Sequence, residues 1–132
     1  MGTHGRRGDD AKIRKPLWIA RILSGIAIIF MALDSIIHIL RIKPVLDAFQ
    51  MLEIPATLSL PLGLIEVACI ATYAFYPSRV LGMLLLTAYL GGAVAIHLRA
   101  RSSLFEIVFP VIIGGMLWIG LYLSDNRVRG LL

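Results

Sequence analysis

The sequence predicts an all-α integral membrane protein, an antiparallel four-helix bundle with a short amphipathic interfacial helix between its first and second spans. Of the 132 residues, 58% are hydrophobic and 16% are charged, whereas soluble domains are about 45–50% apolar even with glycine counted. Four apolar stretches also reach the roughly 20 residues that a helix needs to cross a bilayer. A soluble fold of this size could not bury so much apolar surface, so the composition excludes a soluble enzyme, a disordered chain and a disulfide-stapled secreted module.

The chain divides into a basic tail, a transmembrane domain and a second tail. We expect residues 1–15 to be a flexible cytoplasmic segment and residues 126–132 a short cytoplasmic tail. Between them, residues 16–125 hold spans at about 17–40, 56–76, 79–98 and 104–124. Lipid offers the peptide groups no hydrogen-bonding partner, so each span must be a helix. The first span is too long for the h-region of a cleaved signal peptide, which favours a retained anchor.

The connection between the first two spans is itself patterned. Asp47, Gln50 and Glu53 recur every third residue, while Val45 and Phe49 fall on the opposite side of a helical wheel. This pattern, bounded by prolines at positions 44 and 55, predicts an amphipathic helix in the membrane interface. A structured loop that caps the bundle is the alternative.

The distribution of basic residues predicts the orientation. Nine of the 13 lysines and arginines lie on the side of the bundle that holds the two termini, and four lie on the other side. Cytoplasmic segments carry the excess of positive charge, so both termini are expected in the cytoplasm of a bacterial inner membrane. The basic tail has no aromatic residue to stack on a base, and we therefore expect no nucleic-acid partner.

Ionisable residues inside the spans are the strongest functional signal. Asp34 and His38 share a face of the first helix, Glu66 is central in the second, and Tyr89 and His97 share a face of the third. The antiparallel order places all five at a similar depth, toward the outer side. Such residues are costly in lipid and mark function by default. We predict catalytic roles for Asp34, Glu66 and His97.

The same pattern supplies candidate ligand-binding residues. His38 and Tyr89 follow from their depth, and Tyr73 lies seven residues after Glu66 on one face of the second helix. Arg99, at the end of the third span, is the fourth candidate.

The glycine pairs at 91–92 and 114–115 are expected to let helices approach closely.

Several readings of these polar residues stay open. Asp34 and His38 could form an interhelical clamp that only stabilises the fold, at about 0.6 kcal/mol per hydrogen bond. Two histidines at similar depth allow haem ligation, although coincidence explains them equally well. No helix carries an H-x-x-x-H or E-x-x-H motif, so we predict no metal site. The single cysteine, Cys69, excludes a disulfide within the chain, and we expect no intrinsic cofactor.

The residues resemble the DoxX-like family of small bacterial four-helix membrane proteins. The resemblance covers nearly everything after Lys15, and its most specific part is LTAYLGGA at 86–93 followed by HLR at 97–99. Other matching stretches are RILS at 21–24, FMALD at 30–34 and GLIE at 63–66. The resemblance implies that Asp34, Glu66, Tyr89, His97 and Arg99 occupy the family's polar positions. It also implies a link to membrane oxidoreductase assemblies and quinone-related chemistry. His38 departs from it, since the family often has lysine there.

Three functions follow as hypotheses. The first is a module that binds a lipophilic ligand, such as a quinone or an isoprenoid, as the membrane subunit of an oxidoreductase system with a separate partner protein. The second is a membrane enzyme, of epoxide hydrolase, cyclase or isomerase type, that uses Asp34 and Glu66 as an acid–base pair. The third is a structural or assembly subunit without chemistry. The lipid bilayer is a partner in all three, and a homo-oligomer is compatible with each.

Overall fold

The computed structural model describes residues 4–131, and the side chains of residues 17–131. Six helices follow one another along the chain, with a single turn of 3-10 helix before the third (Ala56–Leu58) and before the fourth (Tyr76–Ser78). The helices are α1 (His4–Leu40), α2 (Lys43–Met51), α3 (Ser59–Ala74), α4 (Arg79–Arg99), α5 (Leu104–Ser124) and α6 (Asn126–Leu131). Within this range there is no strand, and four helices are long and apolar enough to cross a membrane. The predicted all-α membrane fold is confirmed.

The helix bounds differ from the predicted ones at three places. α1 begins at His4, so residues 4–15 are helical and continuous with the first span. This segment contains Ala11, Lys12 and Arg14, which are favourable helix formers. α3 ends at Ala74 because Phe75 adopts an extended backbone and Pro77 follows in the next turn. Residues 126–131 form α6, so the second tail is largely helical.

The connection between α1 and α3 combines the two alternatives that its sequence allowed. It contains the helix α2, whose Val45 and Phe49 are buried while Asp47 and Gln50 are exposed. α2 packs against α3 and the turn before it. The segment is therefore an amphipathic helix that also covers one end of the bundle. We call this end the α2 end and the opposite one the α6 end.

The four long helices form a ring. α1 packs against α3 and α5, and α4 packs against the same two helices from the other side. α1 and α4 thus lie on opposite corners. The order follows from the short connections, which place consecutive helices side by side and antiparallel.

Close packing between these helices depends on glycines other than the predicted pairs. A Cβ on Gly91, Gly92 or Gly115 would meet nothing within 4 Å, so the expectation that these pairs bring helices together is wrong. Instead, a Cβ on Gly82 would overlap the backbone of α3 at Tyr73, and one on Gly120 would overlap Ser24 of α1. Both contacts lie toward the α6 end. Gly91 and Gly92 are exposed, and a Cβ on Gly114 would make only an ordinary van der Waals contact with the Leu90 side chain of α4, at 3.5 Å.

The α6 end is also tied by an ion pair between a buried carboxylate and a partly exposed arginine. The Asp125 side chain is fully buried and accepts hydrogen bonds from the backbone N–H of Arg127 (2.9 Å) and from its guanidinium (2.7 Å). The same guanidinium donates to the carbonyl oxygen of Tyr76, at 2.9 Å. Hydrogen bonding from Arg127 holds the pKa of Asp125 below its ordinary value of 3.8. The pair therefore connects the end of α5 to the turn between α3 and α4.

Burial along the helices shows where the bundle is loose. α3 has buried residues along its whole length, from Ser59 to Tyr73. α4 has buried residues only in its first half, namely Gly82, Met83 and Leu86. The second half of α4, toward the α2 end, therefore stands away from its neighbours. This separation leaves a space inside the ring.

The first prediction compares Gly82, which lies against the backbone of α3, with Gly91, which has open space beside it. Gly82→Ala should destabilise the protein by about 1–3 kcal/mol, because the added methyl has to displace the backbone of α3. Gly91→Ala should cause no loss, since its methyl meets open space and alanine favours the helix. Unfolding of both variants in detergent, followed by circular dichroism, measures the difference. Equal stabilities would contradict the packing described for Gly82.

Candidate functional site

A cavity of about 650 Å³ occupies the loose end of the bundle, beneath α2. Residues of helices α1 to α5 line it, and most of them are apolar. Its polar lining side chains, among the described residues, are Asp34, His38, Glu66, Tyr89, His97 and Glu106. The cavity thus joins an apolar wall to a small set of ionisable groups.

One wall is built by a single turn of α1. The ring of His38 lies 2.7 Å, through Nδ1, from the backbone carbonyl oxygen of Asp34, and 3.4 Å from its carboxylate. A carbonyl oxygen only accepts hydrogen bonds, so Nδ1 is the protonated nitrogen and donates. The ring of Phe49 on α2 lies against His38, with 5.6 Å between ring centroids. The imidazole is therefore held in one tautomer and orientation.

Two residues of α3 bring that helix against this turn. Ser59 donates from Oγ to the carbonyl oxygen of His38, at 2.7 Å. Gly63 faces α1 so closely that a Cβ would stand 2.9 Å from the carbonyl oxygen of Ser35. Any side chain at position 63 would push the helices apart. The approach places Glu66, one turn further along α3, beside Asp34.

Glu66 completes the site with a partner on a third helix. Its side chain is 1% exposed, and its Oε2 accepts a hydrogen bond of 3.2 Å from the hydroxyl of Tyr89 on α4. One potential ligand atom from each of Asp34, His38 and Glu66 lies within 4.8 Å of the other two. We call these three residues the carboxylate–histidine cluster. Side chains of α1, α3 and α4 thus meet at one point of the cavity wall.

The cluster has the donor atoms that a divalent cation would use. Two carboxylates and one imidazole supply three ligands, one fewer than a closed tetrahedral site requires. The three ligands come from two helices and form no H-x-x-x-H or E-x-x-H pair, so the spacing of residues along one helix did not predict this set. The sequence feature that could have indicated the cluster is Gly63, three residues before Glu66. A glycine at this position allows that face of α3 to lie against α1.

His97 lies in the same cavity but outside the cluster. Its Nδ1 is 3.0 Å from the hydroxyl of Ser102, in the connection between α4 and α5. Asp34, Glu66 and His97, the three predicted catalytic residues, therefore line one cavity from three helices. His97 itself is tied to the loop at the α2 end.

Two predicted ligand-binding residues lie elsewhere. Arg99 points away from the cavity, with 66% of its side chain exposed, and pairs with Glu53 at 3.5 Å. Tyr73 is buried two turns further along α3, where its hydroxyl lies 3.3 Å from that of Ser24. Arg99 is the last residue of α4 and lies at the edge of the bundle. Tyr73 shares the face of Glu66, but seven residues of helix separate them by about 10 Å.

The apolar wall was not foreseen from the sequence. Three phenylalanines line the cavity where α1 meets α5, with Phe30 edge-on to Phe109 at 4.9 Å and Phe105 at 5.4 Å from Phe109. On the outer surface of the bundle, Phe105 is largely exposed and Phe30 is partly exposed. This aromatic group lies between the cavity and the surrounding lipid. Phenylalanines are ordinary in a membrane helix, so no pattern in the sequence distinguished them.

Comparison with known proteins identifies a family. A model described as the DoxX-like family matches residues 22–120. The matched stretch contains α2 to α4, the second half of α1, most of α5, and all three residues of the carboxylate–histidine cluster. Separate comparisons with curated proteins and with solved structures found no match.

Proposed function

The chain belongs to the DoxX-like family, and from this premise we propose that it binds a lipophilic small molecule of quinone or isoprenoid type. The apolar body of the molecule would occupy the cavity, and its polar head would contact the carboxylate–histidine cluster. The proposal rests on one observation. Four polar side chains lie together on one wall of an otherwise apolar cavity, namely those of Asp34, His38, Glu66 and Tyr89.

Size and chemistry support this occupant. Ligand cavities are commonly about 300–1,000 Å³, mostly apolar, with a few convergent polar groups. The volume here, about 650 Å³, falls within that range. An ionisable group within a membrane span is costly, and a hydrogen-bonding head group would give the cluster additional partners.

A redox role would require a second protein. The one cysteine, Cys69, is buried and cannot form a disulfide within the chain, so the chain has no thiol–disulfide couple of its own. We therefore propose that electrons reach a bound quinone from an oxidoreductase partner, with this chain as its membrane subunit. Glu66 and Tyr89 would accept or supply the accompanying protons.

An acid–base enzyme is the second candidate. It is favoured by the different surroundings of the two carboxyl groups, because the side chain of Asp34 is 33% exposed while Glu66 is fully enclosed. Unequal environments allow one carboxyl group of a pair to stay protonated while the other is ionised, as acid–base catalysis requires. A hydrolytic enzyme would add the mass of water to its substrate, whereas a binding module would release its ligand unchanged.

We further propose that the chain lies in a bacterial inner membrane with the α2 end outside and both termini in the cytoplasm, as the charge bias indicates. Asp47→Cys, on the exposed face of α2, should react with a membrane-impermeant maleimide added to intact cells from which the outer membrane has been removed. Arg129→Cys should react only after lysis. Wild-type protein is the control, since its buried Cys69 should stay unlabelled. The reverse labelling pattern would overturn the orientation.

A cavity-filling variant tests the binding proposal. Ala93→Phe places a ring in the cavity and should abolish co-purification of lipophilic ligand. Wild-type protein, extracted in mild detergent, should retain a quinone or isoprenoid detectable by mass spectrometry of its bound lipids. The expected loss is at least tenfold in ligand per mole of protein, or about 1.4 kcal/mol.

Ala95→Phe is the matched control. Residue 95 lies on the same helix but is exposed and does not line the cavity, so this variant should retain the ligand. Equal ligand content in all three proteins would show that lipids bind elsewhere on the surface. Absence of any quinone or isoprenoid from the wild type would also contradict the proposal.

A further inference from the structure

The cavity reaches the lateral surface of the bundle on two sides. On the α1–α5 side, Phe30 and Phe105 line the cavity and are also exposed. On the α3–α4 side, Ile65 of α3 and Ala88 and Gly92 of α4 combine the same two properties. The remaining exposed lining residues belong to the α2 end, namely Pro44, Ala48 and Glu106. These two sides are the lateral routes by which a ligand dissolved in the membrane can reach the cavity.

Aromatic rings fill the α1–α5 side. The ring centroid of Phe109 lies 4.9 Å from that of Phe30 and 5.4 Å from that of Phe105. Such distances are typical of aromatic rings in contact, so the three rings form a continuous layer between the two helices. A ligand chain would have to displace these rings to pass between α1 and α5.

The second side lies between α3 and α4. Tyr89 marks the side of α4 that faces α3, because its hydroxyl donates a hydrogen bond to that helix. Gly92 follows Tyr89 by three residues and lies about 60° from it around the helix. Thr87 marks the side that faces α5, since its hydroxyl accepts from the indole N–H of Trp118 at 2.9 Å. Gly92 is about 140° from Thr87, so the cavity wall at Gly92 borders α3.

Small residues and a separation of the helices leave this side open. A Cβ on Gly92 would meet none of the described residues within 4 Å, and across the gap Ile65 is 51% exposed. Further along, Gly82 of α4 lies directly against the backbone of Tyr73. None of the described residues of α4 after Leu86 is buried. α3 and α4 therefore separate toward the α2 end, and the gap joins the cavity to the outer surface.

From this opening we infer that the ligand is a lipid whose apolar chain is longer than the cavity and passes between α3 and α4 into the membrane. The inference rests on the proposed function and specifies its ligand class, an isoprenoid or a quinone with a long side chain. Gly92 lies about 4.5 Å along the helix axis from Tyr89, so a head group at the carboxylate–histidine cluster has the opening beside it. An acyl chain of a surrounding phospholipid is the alternative occupant of the gap.

Two probes with the same head group test the role of the opening. Menadione is a naphthoquinone without a chain, and menaquinone-4 carries an isoprenoid chain on the same ring system. Each probe is bound to immobilised protein in detergent, extracted and quantified by absorbance. Each variant is compared with wild type for the same probe, so partition into detergent cancels. Gly92→Phe should weaken binding of menaquinone-4 about tenfold or more, because the ring blocks the path of the chain, and should change binding of menadione less than about threefold.

A second site variant and two matched controls accompany this test. Ala88→Phe places the same ring one turn earlier in the opening and should also weaken menaquinone-4 selectively, so poor folding of one variant still leaves a result. Gly91→Phe and Ala95→Phe introduce the same side chain at exposed positions of α4 that do not line the cavity. Both controls should bind the two probes as wild type does.

The outcomes separate the inference from the proposed function. Unchanged binding of menaquinone-4 in both site variants, with both probes lost in Ala93→Phe, would overturn the inference and leave the proposed function standing. Equal weakening of the two probes by Gly92→Phe would mean that residue 92 only narrows the cavity, which also overturns the inference. Loss of co-purified phospholipid without loss of menaquinone-4 would assign the gap to an ordinary acyl chain, with the same consequence. Failure of both probes to bind wild type would overturn the inference and the proposed function together.

Discussion

The position of two carboxyl groups inside a membrane-spanning bundle is the constraint on which this structure depends. Asp34 and Glu66 cannot face lipid without a large cost, so their helices have to present them to each other and to polar partners. Gly63 and Ser59 meet this requirement by bringing α3 against the turn of α1 that carries His38. Tyr89 then joins from α4 with a single hydrogen bond. A fold held by apolar packing alone would need none of these contacts.

The bundle is consequently asymmetric along its length. Toward the α6 end, Gly82 and Gly120 allow backbones to approach closely, and the ion pair of Asp125 and Arg127 joins α5 to the turn between α3 and α4. Toward the α2 end, α4 has no buried residue after Leu86, and α2 covers the space that results. The tight end keeps the helices together, and the loose end can therefore contain a cavity. Such a division is compatible with the proposed binding of a lipophilic ligand.

The sequence predicted the fold better than the site. The length of the apolar stretches was sufficient to identify the spans, and α5 begins and ends at the boundaries of its apolar stretch. The depth of Asp34, Glu66, Tyr89 and His97 also followed from helical rise and antiparallel order. The sequence did not distinguish Tyr73 from the cluster, because residues seven apart share a face but differ in depth by about 10 Å. Nor could it show which glycines meet a neighbouring backbone, since that depends on how each helix is rotated within the ring.

The coupling energy between Glu66 and Tyr89 tests the central claim that side chains of different helices form one polar cluster. A double-mutant cycle of Glu66→Leu and Tyr89→Phe, with unfolding free energies measured in detergent, should give a coupling of about 0.6 kcal/mol and at most about 1.7 kcal/mol. The same cycle with Tyr73→Phe should give none, because Tyr73 faces Ser24. Strict additivity of Glu66→Leu and Tyr89→Phe would mean that the two side chains do not meet, and would contradict the account.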